Sequence, residues 1–195
     1  MRGLNISPGA VLLFSALYFF CGAEELAALL IAVITHELGH IAAIYLCGGR
    51  LHGLRISASG LCIDYSGTNS ASGELTALLS GPAAGFVLAY AASRIGNANG
   101  NTLLLKTAGF SLILSVYNLL PALPLDGGRA LECLLNAGNS GCSGTVLGVS
   151  GFVTGIALIT IGLYLMHELT GAAVFLSGII VLFAQTGIVK SLRML

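Results

Sequence analysis

The sequence predicts an all-α polytopic membrane protein, with six transmembrane helices and a short membrane-associated β-hairpin between the second and third helices. Hydrophobic residues make up 56% of the 195 residues and charged residues only 8%, whereas soluble domains average about 25% charged residues. Eight basic and eight acidic residues cannot cover the surface of a soluble protein of this length. They also provide no basic patch, so we expect no nucleic-acid partner.

Six apolar stretches approach the length of about 20 residues that a helix needs to cross a bilayer. The N-terminal stretch also has the outline of a signal peptide, but Phe19 and Phe20 before Cys21 do not suit a small-residue cleavage site. The six spans fill most of the chain, so we expect one membrane-embedded domain over residues 1–195. The predicted spans are residues 3–23, 26–49, 75–93, 102–120, 145–166 and 169–189.

Lysine and arginine residues in short loops set the predicted orientation, because they accumulate on the cytoplasmic side. With the N-terminus inside, only Arg94 and Lys106 fall on the outer side. The excess on the inner side predicts a multi-pass protein of the cell membrane with both termini in the cytoplasm. The inner residues are Arg2, Arg50, Arg55, Arg129, Lys190 and Arg193.

Residues 51–65, between the second and third spans, alternate apolar and polar side chains. The alternation runs through Ile56 on one side of Ser59 and Gly60, and through Ile63 on the other. A period of two on both sides of a turn predicts a β-hairpin. A short amphipathic loop resting on the lipid surface is the alternative.

Ionisable side chains within a membrane span are costly and by default indicate function. The second span contains His36, Glu37 and His40 in the pattern HExxH. At helical spacing the two histidines share one face, where they can bind one Zn²⁺, and Glu37 can act as general base for the attacking water. A buried histidine pair satisfied by hydrogen bonds is the alternative.

A catalytic zinc usually takes a third protein ligand. Asp126 follows the fourth span, in a segment where two prolines end the helix and Gly127 and Gly128 allow unusual backbone angles. On the predicted topology, Asp126 lies at the same depth as the two histidines, in the inner half of the membrane. The other candidates are His52 and Asp64, in the loop after the second span, and His167, at the opposite membrane face.

Two motifs carry a family resemblance. HELGH at residues 36–40 and NLLPALPLDGG at residues 118–128 resemble the site-2 protease family of intramembrane zinc metalloproteases (peptidase family M50). Within the family, the sequence is similar to the six-span stage IV sporulation protein FB type, which has no PDZ insertion, and we expect no CBS domain. The resemblance implies the following roles: zinc ligands His36, His40 and Asp126, catalytic base Glu37, and substrate-binding residue Asn118.

Residues 80–85, SGPAAG, resemble the family's small-residue GPxxN element, with Gly85 where asparagine is common. A role in helix packing is therefore expected for this element, without the polar group of the asparagine.

The resemblance implies hydrolysis of peptide bonds in or near transmembrane segments of membrane-tethered proteins, with Zn²⁺ as cofactor. It also implies regulated intramembrane proteolysis, for example of a transcription factor precursor. The implied partners are the lipid bilayer, the tethered substrate and a regulatory membrane protein. An unwound substrate could add a strand to the edge of the predicted hairpin. The alternatives are a catalytically silent member of the same fold and a metal transporter.

Overall fold

The computed structural model describes residues 5–6, 22–57, 60–67, 70–138, 143–165 and 169–192. The chain divides into two compact units, Met1–Val116 and Tyr117–Leu195, and the single domain expected from the sequence stays a prediction. The first unit contains β1 (Asn5–Ile6), α1 (Ala23–Leu46), β2 (Arg50–Ser57), β3 (Gly60–Ser66), α2 (Ala71–Asn99) and most of α3 (Thr102–Asn118). The second contains α4 (Asp126–Ala137), α5 (Ser143–Tyr164) and α6 (Leu169–Leu192).

Helices α1, α2 and α5 are long and apolar enough to cross a membrane, and they occupy the second, third and fifth predicted spans. The 17-residue α3 and the 24-residue α6 occupy the fourth and sixth. The first predicted span lies mostly outside the described residues, and its start is wrong because Asn5–Ile6 form a strand. The predicted fold class is confirmed, whereas the count of six spans stays a prediction.

The hairpin between α1 and α2 is confirmed. Strands β2 and β3 pair antiparallel, with Leu54 opposite Ile63 and Ile56 opposite Leu61. The predicted turn residue Ser59 lies outside the described residues. Strand β1 was not predicted; it pairs parallel with β2 and gives the sheet the order β1-β2-β3. Two residues are too short to show an alternating pattern, so the sequence carries no periodic signal for β1.

Small residues bring α1 and α2 into close contact. A Cβ atom added to Gly39 of α1 would lie 2.6 Å from the carbonyl oxygen of Ser80 and 2.7 Å from the Cβ of Ala84, both on α2. Small residues allow membrane helices to approach this closely. The glycine of HELGH is therefore required by packing, and it fixes the helix that carries the histidines against α2.

The first turn of α1 is joined to α3 by an ion pair. Lys106 Nζ lies 3.0 Å from Glu24 Oε2 and 2.6 Å from Glu25 Oε1, and the Thr102 hydroxyl also donates to Glu24. The N-terminal ends of α1 and α3 therefore lie together.

In the second unit, glycines let α5 and α6 pack closely. A Cβ atom at Gly178 of α6 would lie 2.9 Å from the carbonyl oxygen of Gly155 on α5, and one at Gly155 would lie 2.6 Å from Leu182. The pair Gly151 and Gly155, which has the GxxxG spacing, thus packs against α6 within the same chain.

Candidate metal centre

Helix α1 presents two buried histidines on one face. His36 is 3% and His40 8% exposed, and their Nε2 atoms lie 3.2 Å apart. The ring centroids are 4.9 Å apart, with the ring planes at 75°. Residues four apart in a helix lie one above the other, so the arrangement follows directly from the HExxH spacing.

The His40 ring has a defined tautomer. Its Nδ1 lies 2.7 Å from the main-chain oxygen of Ala77 on α2. A carbonyl oxygen can only accept, so Nδ1 must carry the proton and donate it. With the proton on Nδ1, the Nε2 atom of a neutral ring carries a lone pair, and it can accept a hydrogen bond from the Nε2 of His36 at 3.2 Å or bind a metal. A histidine metal ligand is commonly held in this way through its other ring nitrogen.

Gly81 provides the space for the His40 ring. A Cβ atom added to Gly81 would fall on the Nε2, Cδ2 and Cε1 atoms of that ring. Any side chain at position 81 would therefore displace the imidazole. The GPxxN-like element predicted a role in helix packing for this glycine, whereas its contact with His40 has no signal in the sequence other than its place in that element.

The histidine pair fits a zinc ion. Two nitrogens bound to Zn²⁺ at 2.0–2.1 Å in a tetrahedron lie about 3.3 Å apart, and the Nε2 atoms of His36 and His40 are 3.2 Å apart. Imidazole nitrogens are among the ligands that zinc prefers, and both rings are buried. The donor set and its spacing therefore suit the ion that the sequence implies.

The remaining candidates in the first unit differ in burial. Glu37, next to His36 on α1, is half-buried. His52 is exposed on β2, and its Nε2 forms a hydrogen bond with the hydroxyl of Ser66. Asp64 belongs to β3. The fourth candidate, His167, belongs to the range of the second unit and lies outside the described residues. The Nε2 atom of His52 is therefore already engaged in a hydrogen bond within the hairpin.

In the second unit, Asp126 is the first residue of α4 and is half-buried. A carboxylate in the first turn of a helix is favoured by the helix dipole. The expectation of unusual backbone angles at Gly127 and Gly128 is wrong, because both residues are helical and neither has a positive φ. Instead, Cβ atoms there would collide with the main chain of residues 119–123. The two glycines thus allow α4 to begin directly against the preceding loop.

The loop before Asp126 is ordered by short hydrogen bonds. The amide of Ala122 donates to Leu120 O at 2.8 Å, and that of Leu125 donates to Ala122 O at 2.9 Å. The Leu123–Pro124 peptide is cis. Asn118, the proposed substrate-binding residue, ends α3 and is half-buried.

Gly85 packs against α3, as expected for the small-residue element. A Cβ atom at Gly85 would fall on the hydroxyl oxygen of Ser115, which is fully buried and donates to Ser111 O at 2.7 Å. A side chain at position 85 is excluded unless Ser115 moves. In this chain the Ser115 hydroxyl therefore fills the space that a side chain at position 85 of α2 would need.

The apolar helices and the buried histidine pair define a membrane-embedded protein with nitrogen ligands suited to a metal. The chain belongs to the Peptidase M50B-like family, whose model matches residues 10–123. This range includes the HELGH motif and ends before Asp126. Family membership and the three long apolar helices identify a multi-pass membrane protein of the site-2 protease family.

The chain is similar in sequence to a zinc metalloprotease and in structure to a site-2 protease. The zinc metalloprotease MJ0392 of Methanocaldococcus jannaschii is 29% identical over an alignment of 113 residues, and the match covers 55% of this chain and 33% of that protein. The chain thus spans about a third of the length of this relative. The structure of a site-2 protease from Methanocaldococcus jannaschii matches with a TM-score of 0.71 at 22% identity, over 96% of this chain and 91% of that one. That likeness establishes the fold.

Proposed function

We propose that the chain is an intramembrane zinc metalloprotease that hydrolyses peptide bonds in or near the transmembrane segments of membrane-tethered proteins. The observation that carries the proposal is the buried pair His36 and His40, with facing Nε2 atoms 3.2 Å apart and one ring fixed by a main-chain carbonyl. Membership of the M50B-like family and the similarity to a zinc metalloprotease support it.

The proposed zinc ligands are His36, His40 and Asp126. The histidines fit the ion by geometry and burial. Asp126 is supported by its place in the LDGG motif and by the rigid start of α4, where Gly127 and Gly128 pack against the loop backbone. Two imidazoles and one carboxylate are a common ligand set for a catalytic zinc, which keeps a fourth position open.

Bound zinc would lower the pKa of a coordinated water and polarise the scissile carbonyl. Glu37 takes a proton from the attacking water as its oxygen bonds to the carbonyl carbon, and it delivers the proton to the amide nitrogen as the C–N bond breaks. One water is consumed for each bond cleaved. Asn118 is proposed to hold the substrate main chain next to this site.

A helical substrate must unwind before cleavage, because its amides are already hydrogen-bonded within the helix. The hairpin offers an edge that could hold the unwound segment extended. Strand β1 already pairs with the outer side of β2 at Arg55 and Ile56, so we propose that substrate adds to the edge of β3. No strand pairs with this edge among the described residues.

The proposed orientation places both termini and the mouth of the active site in the cytoplasm, as the distribution of Lys and Arg predicts. Regulated proteolysis of a tethered precursor, for example of a transcription factor, and control by a second membrane protein complete the proposal.

The function is tested by co-expressing the chain with a single-span tethered substrate and comparing Glu37→Gln with the wild type. Because the variant loses the base but keeps the ligands, cleavage should fall by about 10²–10⁴-fold while zinc content, measured by metal analysis in detergent, stays at the wild-type level. Glu74→Gln, at an exposed acid in the first turn of α2, is the matched control and should cleave normally. Equal cleavage by wild type and Glu37→Gln would contradict the proposal, and a wild type that binds zinc but never cleaves would favour a silent member of the fold.

A further inference from the structure

A buried amide lies in the second unit, on the largely apolar helix α6. Gln185 is 0% exposed, and its Nε2 donates to the main-chain oxygen of Leu123 at 2.9 Å. Burial of an amide is costly unless it forms hydrogen bonds. The hydrogen bond joins α6 to the loop that precedes α4, across 62 residues of sequence.

The position of the Gln185 side chain is fixed from the opposite side by α5. A Cβ atom at Gly151 would collide with the Cδ, Nε2 and Oε1 atoms of Gln185. The amide is therefore confined between the glycine surface of α5 and the loop, and packing maintains the orientation of its N–H toward Leu123.

The bonded carbonyl belongs to the segment that positions Asp126. Leu123 lies three residues before Asp126, inside the turn that the Leu125 amide closes on Ala122 O. The same main chain contacts Gly128, since a Cβ atom there would meet Ala122 and the nitrogen of Leu123. A constraint on the Leu123 carbonyl therefore acts directly on the first turn of α4.

We propose that Gln185 is a positioning residue, which holds the loop at Leu123 and so keeps the Asp126 carboxylate oriented for zinc; this inference rests on the proposed function. Stability alone does not explain an amide here. Its Oε1 atom has no hydrogen-bond partner among the described residues, and a buried, unsatisfied acceptor is unfavourable. The feature that the glutamine contributes is its N–H donor to Leu123.

The first test measures zinc affinity by chelator competition on the full chain in detergent. Gln185→Leu removes the donor and should weaken zinc binding about 10–100-fold, the usual effect of losing a contact that orients a ligand. Gln185→Glu should recover near wild-type affinity, because a carboxyl group buried in apolar surroundings stays protonated and its O–H can donate to the same carbonyl. Ser177→Ala, which removes a hydrogen bond confined to α6, is the matched control and should bind zinc normally.

The second test does not depend on zinc. Hydrogen exchange of residues 119–128 is followed in chelator-treated protein, where Gln185→Leu should accelerate exchange and Ser177→Ala should not. Gln185→Met replaces Gln185→Leu if that variant does not fold. The inference is overturned if Gln185→Leu changes neither the zinc affinity nor the hydrogen exchange of residues 119–128. It is also overturned if Gln185→Leu weakens zinc binding and Gln185→Glu does not recover the affinity. If the wild type holds no zinc, the proposed function fails, and the exchange result alone decides whether Gln185 orders the loop.

Discussion

The Nδ1 atom of His40 donates to the main-chain oxygen of Ala77 at 2.7 Å, so a side chain of α1 is oriented by the backbone of α2. Because the acceptor is main chain, no change of the side chain at position 77 removes it. The ring is instead sensitive to the space at Gly81, one turn further along α2, where it lies in contact with the glycine. The geometry of the HExxH helix thus depends on a second helix that contributes no metal ligand.

Gly81→Ala should displace the His40 imidazole, since the new methyl group would overlap the ring. The hydrogen bond to Ala77 would be strained or lost, and zinc affinity should fall by about tenfold or more, as for other losses of ligand orientation. Chelator competition in detergent measures the change.

Gly109→Ala is the matched control for this substitution. A Cβ atom at Gly109, on α3, would meet nothing within 4 Å. Its zinc affinity should be unchanged, and its free energy of unfolding should rise by about 0.5–1 kcal/mol, the usual gain from replacing a helical glycine by alanine. Equal zinc affinity of wild type and Gly81→Ala would show that the ring tolerates the methyl group.

Asp126→Ala should lower zinc occupancy, because two imidazoles alone hold the ion weakly. The affinity should fall by more than about 100-fold, which is the upper end of the loss expected when only a contact that orients a ligand is removed. Occupancy is measured by metal analysis after purification. His52→Ala is the control and should retain zinc, since the His52 ring bonds Ser66 in the hairpin. Full occupancy in Asp126→Ala together with loss in His52→Ala would transfer the third-ligand role to His52.

Proline substitutions test whether substrate adds to the sheet. Proline removes a main-chain donor, so Ile56→Pro and Ile63→Pro should both reduce cleavage of a tethered substrate while zinc content stays unchanged. Since β1 covers β2 at Ile56, the loss should be larger at Ile63 on β3. Normal cleavage by both variants would remove the strand-addition proposal and leave the zinc assignment intact.

The orientation is tested with topology reporters. One fused after Leu195 should be active in the cytoplasm, and one inserted at Gly100, in the turn between α2 and α3, should be active outside. Gly100 caps α2 with a φ of 61°, so the insertion falls outside both helices. Reversed signals would move the active-site mouth to the other membrane face.

The elements that sequence reasoning predicted are those with a local periodic signal. The HExxH spacing, the long apolar runs of α1, α2 and α5, and the alternation around Ile56 and Ile63 each depend on neighbours within a few residues. The features it missed depend on distant partners. Nothing near Gln185 in the sequence indicates its bond to Leu123, 62 residues away.

The glycines show the same limit in another form. The DGG motif predicted that Gly127 and Gly128 are needed for unusual backbone angles, and that reason is wrong because both residues are helical. The cause is the main chain of the preceding loop, which leaves no room for a Cβ atom at either position. The sequence shows glycine at these two positions, but it does not show which neighbouring atoms exclude a side chain.

The parallel pairing of β1 with β2 has a consequence for biosynthesis. Asn5 pairs with Arg55, so about fifty residues are translated between one strand and its partner. The hairpin can close as soon as it leaves the ribosome, whereas Asn5 and Ile6 have no partner strand until β2 has been translated. A fusion tag attached directly before these residues should hinder the pairing of β1 with β2, and a spacer of several flexible residues should remove this hindrance.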